Sequence, residues 1–167
     1  VRSRFQPTGG TPEVLTTPAG DRGEVEHRWP EILPGGNGLV FTVWSGSIDR
    51  SRVVIREMAG GETKTLFEGA SSARYAATGH LVYYQSGNVM ATPFDPVRHT
   101  VGDRRVPVQE NVKTTVSGAT DFGIARNGTF VFIPGASRPE RRLVWVDRQG
   151  RSEPLLPAPD DYWVPRL

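Results

Sequence analysis

Arginines set beside aromatic residues are the strongest chemical signal in this chain: Arg28 with Trp29, Arg74 with Tyr75, and Trp163 near the C-terminal end. A guanidinium presents a planar fork of donors that fits a carboxylate, and an aromatic ring adds a stiff apolar face. Together they predict a rim that binds a peptide or another carboxylate-bearing ligand. For each residue taken singly, packing beneath the loops is the simpler explanation.

Catalytic chemistry finds fewer candidates. His27, His80 and His99 have no nucleophile or orienting partner at a suggestive spacing, and His27 is expected to cap a turn or stack on a neighbour. The serines of WSGSIDRS, Trp44–Ser51, read as a polar loop, because no G-x-S-x-G turn is present. Glu31 and Asp121 are the carboxylates a glycosidase or peptidase reading would use, and they would have to lie within roughly 5–10 Å of one another. No cofactor or metal is predicted: cysteine is absent, no His-x-x-x-His occurs, and Asp160-Asp161 lacks the spacing of a calcium loop. The run Gly35-Gly36-Asn37-Gly38 joins strand to strand without a following lysine, so it is a turn and not a phosphate loop.

The elements that would position these residues follow from a repeat. Strand-like stretches run into a glycine turn and out into a denser apolar stretch at Gly36, Gly79 and Gly128, about 43 and 49 residues apart, the period of one four-stranded propeller blade. Glycine (19) and proline (14) are scattered as punctuation, and no Gly- and Pro-free window keeps a helical apolar period, so the fold class is all-β. Alternation and turns place strands at Trp29–Leu33, Leu39–Trp44, Arg52–Glu57 and Glu62–Phe67 in the first repeat. The second repeat reads Ala73–Ala77, His80–Gln85, Asn88–Phe94 and, after a long connection at Asp95–Arg105, Val106–Val112. The third reads Asp121–Ala125, Thr129–Ile133, Leu143–Asp147 and Ser152–Leu156. The second strands, LVFTVW, LVYY and TFVFI, are almost wholly apolar, as strands covered on both faces must be, and Trp44 and Trp145 are expected to pack between blades.

These strands predict a β-propeller segment of about three four-stranded blades, 28–70, 71–117 and 118–161. Outer strands of a preceding blade occupy 1–27, and a further inner strand begins at 162–167. The rim residues fall at or near the starts of inner strands, beside the mouth of the central channel. The chain begins without methionine and stops inside that last strand, so it is expected to be an excerpt. The exposed blade edges and faces of such an arc predict self-association into a closed ring.

Composition excludes several classes. The net charge is +2, and 18 arginines against Lys64 and Lys113 are spread with no run of like charge beyond two, so no nucleic-acid partner is expected. No apolar stretch approaches the ~20 residues that span a bilayer, and VRSRFQPTGG lacks the apolar region of a signal peptide, so no membrane insertion by this segment is expected.

Four segments, GGTPEVLT, HRWPEILPGGNGLVFT, SSARYAATGHLVYYQSGNVMATPFDP and RRLVWVDRQGR, are spread along the chain and hold 61 of its 167 residues. In them the chain resembles the TolB-like (WD-repeat-like) propellers attached to bacterial receptor-type serine/threonine kinases and related surface proteins. The resemblance implies a propeller of six or more blades, a sensing or protein-binding role, and a periplasmic or extracytoplasmic position. Pro34-Gly35-Gly36 stands where such propellers usually carry Pro-Asp-Gly, and no kinase motif is present. The expectation is a non-catalytic binding or sensing module for a protein or peptide. The alternatives are the propeller part of a peptidase or glycosidase, and a partial propeller that assembles into an oligomeric ring.

Overall fold

The computed structural model describes residues 2–4, 9–115, 117–125, 127–135 and 143–156; Trp163 and the strand expected at 162–167 lie outside them. The repeated glycines close the same turn three times. The N–H groups of Gly36, Gly79 and Gly128 bond the carbonyls of Leu33, Ala76 and Ala125 at 2.9–3.0 Å. All three have φ between 71° and 86°, a conformation that costs glycine nothing and other residues about 1–2 kcal/mol.

The fold is all-β and antiparallel. β1 (Arg2–Arg4) pairs with β2 (Glu13–Thr16). β3 (Glu26–Ile32), β4 (Gly38–Trp44), β5 (Arg52–Glu57) and β6 (Thr63–Glu68) form a four-stranded meander. A second meander follows with β7 (Ala70–Ala76), β8 (His80–Gln85) and β9 (Asn88–Asp95). Its outer position is shared by β10 (Thr100–Val101) and β11 (Val106–Glu110), both paired to β9. The Thr92 hydroxyl reaches the carbonyls of Gly102 and Arg104, each at 3.0 Å, where the ladder passes from one to the other. Two short turns, Gly20–Arg22 and Pro34–Gly36, are the only helical pieces among the described residues, and no helix there is long and apolar enough to cross a membrane.

Alternation along the strands feeds successive cores. Val53 and Ile55 join Leu81, Tyr83 and Phe94 between the two meanders, where the Phe67 and Tyr83 rings stack at 3.9 Å. Val54 points the other way, with Leu39, Phe41 and Val43, toward Leu15 of β2. Val82 and Tyr84 face a third cluster with Phe122, Ile124 and Phe130. The sheets therefore stack in chain order, and every residue of β4 is buried.

The third repeat departs from the expected four-stranded sheet. β12 (Phe122–Ile124) pairs with β13 (Phe130–Phe132), and β14 (Val144–Val146) pairs with β15 (Ser152–Pro154), as separate two-stranded ladders. The backbone just past β13 is already bonded elsewhere: Ile133 accepts from Lys113, and Gly135 donates to Asn111. That use also ends β11 early, because Val112 bridges to Pro134 and does not extend the second meander. Trp145, expected between blades, is 50% exposed, since β14 has no sheet against it among the described residues.

Candidate functional site

Among the described residues the leading strands of the three repeats, β3, β7 and β12, are each paired on one side, and β7 lies against both others. Strand addition to two of these edges is blocked by their own geometry. β3 carries a bulge between Arg28 and Glu31 that includes Pro30, and β7 a bulge between Ser71 and Arg74. Each bulge holds a residue at positive φ, Trp29 at 50° and Ser72 at 56°. The Ser72 amide is turned onto the Thr42 hydroxyl of β4 at 3.1 Å, which locks the bulge to the neighbouring sheet. Recognition along these edges must therefore come from side chains.

The glycine turns bring the far ends of the leading strands together. Glu31, Ile32, Leu33 and Pro34 from the first repeat, Tyr75 and Ala77 from the second, and Ile124 and Ala125 from the third line one cleft of about 460 Å³. Ile32 is 58% exposed in it, an open apolar surface. Arg74 approaches through Glu31, with Nη1 3.8 Å from Oε2 and both side chains about a third exposed. An ion pair this long and wet contributes at most about 1 kcal/mol. Both charges remain open to a ligand. The Tyr75 ring stands edge-on to Phe94 at 6.3 Å, which fixes the cleft wall.

At the other end of β3 the same residue types are used differently. The Arg28 guanidinium lies over Trp44, 4.5 Å from the ring centroid, and also near Trp29 at 5.8 Å. Its Nε donates to Glu26 at 2.8 Å and its Nη1 donates to the carbonyl of Ser117. Trp29 meets Trp44 edge-on at 6.4 Å. Gly118, at φ 79°, presses on the Trp44 ring so closely that a Cβ there would overlap it. Arg28, Trp29, Trp44 and Gly118 form a clamp between the first meander and the third repeat.

Of the rim residues read from the sequence, Tyr75 lines the cleft and Arg74 borders it through Glu31. Arg28 and Trp29 lie in the clamp, and Trp163 is outside the described residues. Ile32, Ile124 and Ala125 carry no chemical signal in their residue types, although their place beside the repeat glycines is a usable one. The histidines lie elsewhere. His27 is buried, 4.8 Å from the Phe41 ring with Nδ1 and Thr16 Oγ1 hydrogen-bonded at 2.8 Å; His80 bonds within the Thr78 turn; His99 is buried near Glu57. Glu31 and Asp121 line different clefts, and Asp121 is paired with Lys113 at 3.8 Å. Among the described residues no group of three His, Cys, Asp or Glu side chains is placed to hold a metal ion.

No protein-family model, curated protein or solved structure matches the chain. The class defined by its own architecture is an antiparallel all-β protein of stacked sheets with a cleft where the leading strands end.

Proposed function

We propose that this chain is a segment of a β-propeller and acts as a non-catalytic binding module for a protein or peptide. The convergence of three equivalent turn ends on one cleft, beside the loose Glu31–Arg74 pair, is the observation that carries the reading. A peptide carboxylate would take the Arg74 fork, a basic group would take Glu31, and an apolar side chain would cover Ile32 and Ile124. The stacking of sheets in chain order supports the propeller part of the reading. The TolB-like motifs add a sensing or scaffold role in a larger bacterial surface or signalling protein, outside the cytoplasm. Titrating the chain with a peptide library tests it: ligands should exist whose binding falls at least tenfold in Arg74→Ala and Ile32→Asp. Binding indifferent to both substitutions would overturn it.

Self-association is a second reading, favoured by the exposed apolar residues Val131, Phe132 and Ile133 near β13 and Val144, Trp145 and Val146 on β14. Sedimentation across a hundredfold concentration range should show a dimer or ring. A monomer throughout would remove this reading and leave the first standing. The hydrolase alternative has little support, because Glu31 and Asp121 do not share a cavity.

A further inference from the structure

A second cleft, of about 390 Å³, opens on the opposite face of the first meander, against β2. Its floor is Phe41, Val43 and Val54, the apolar side chains of β4 and β5 that point away from the second meander. The same alternation puts Arg52 and Arg56 beside Val54, and Thr63 and Thr65 beside them on β6. Arg22 joins the lining from the turn before β3.

The charges here do not balance. Glu24 is the single carboxylate in the lining among the described residues, and its side chain is only 8% exposed. Burial alone would raise its pKa, but the amide of Ala19, His27 and the Arg52 guanidinium together hold it below the ordinary carboxylate value. It is therefore ionised at neutral pH and fully engaged: Oε1 accepts from Arg52, while Oε2 accepts the Ala19 N–H at 2.8 Å and faces His27 Nε2 at 3.3 Å. Glu24 offsets one guanidinium of three. Arg56 gives Nη1 to the Gly61 carbonyl at 2.6 Å and keeps the rest of its fork, and the Arg22 guanidinium has no partner among the described residues.

We propose that this cleft is a ligand site for a small molecule that carries an oxyanion, a phosphate or carboxylate, on an apolar body. The body would rest on Phe41, Val43 and Val54, and the oxyanion would take donors from Arg22, Arg56 and the Thr63 and Thr65 hydroxyls. An apolar floor under a cationic rim discriminates twice. A bare anion lacks the contact with the floor, and a neutral aromatic lacks the charge.

The test is a two-dimensional NMR titration of the chain with phenyl phosphate, inorganic phosphate and benzyl alcohol. Phenyl phosphate should give saturable shifts centred on Thr63, Thr65 and Val54, with affinity at least tenfold above either control. Arg56→Ala should weaken it at least fivefold. Thr65→Glu, a change at an exposed position, should abolish it while leaving the melting curve unchanged. Equal affinity for the three probes, shifts scattered over arginines elsewhere, or unchanged binding in both variants would overturn the proposal.

Discussion

The clamp and the cleft are built from the same kinds of residue on the leading strands β3 and β7, yet only one is free to act. Arg28 spends its donors on Glu26 and the Ser117 carbonyl and its flat face on Trp44, whereas Arg74 has one loose contact with Glu31. The difference comes from the neighbours. The turn that holds Ser117 and Gly118 closes over Arg28 and Trp44, whereas Ile32 is mostly exposed and the Arg74 side chain about a third exposed. Commitment, more than residue type, separates a structural arginine from an available one.

The largest effect that would break this comparison is at the clamp. Trp44→Ala should cost about 3–5 kcal/mol in urea unfolding, because a nearly buried indole is lost together with its contacts to Arg28 and Trp29. Gly118→Ala should cost about 2–4 kcal/mol, combining overlap on Trp44 with a left-handed backbone. A cost below about 1 kcal/mol for either would mean the clamp is not closed in solution.

The Glu24 network sharpens the contrast by acting elsewhere. Glu24→Ala should destabilise by about 1–3 kcal/mol, since Arg52, His27 and the Ala19 amide lose their acceptor. The sign with pH follows from its lowered pKa: the stabilisation is complete above the ordinary value of 4.5 and is lost as pH falls below it. Glu24→Gln should flatten that acid limb without changing how clamp and cleft variants rank. Ile32→Ser should have the smallest effect, under about 0.5 kcal/mol, because the side chain is mostly exposed, while ligand binding in the cleft is lost.

Much of this fold was legible in local pattern. Arg52–Glu57 and His80–Gln85 have the bounds that alternation and turn residues gave them, because each is a mainly apolar run with turn residues at both ends. The glycine turns were legible for the same reason: a left-handed residue at a fixed offset from a strand end is a local requirement. Longer-range facts were not. Sequence spacing treats Arg28 and Arg74 alike; what separates them is a turn 89 residues on from Arg28 that supplies Ser117. Trp145 looked buried because apolar strands in this chain generally are, but exposure depends on which sheet lies opposite, and β14 has none among the described residues. The split third repeat follows from backbone bonds between Asn111–Lys113 and Ile133–Gly135, a pairing no alternation pattern encodes.

Thermal melts of Arg28→Ala and Arg74→Ala beside the unaltered chain test the central claim most directly. Arg28→Ala removes a cation–π contact and charge-assisted hydrogen bonds, together about 1.5–3 kcal/mol, and should lower the melting temperature by roughly 4–10 °C. Arg74→Ala should leave it within about 2 °C. Equal losses in the two variants, or a larger loss in Arg74→Ala, would contradict the division of the leading strands into a structural clamp and an open cleft.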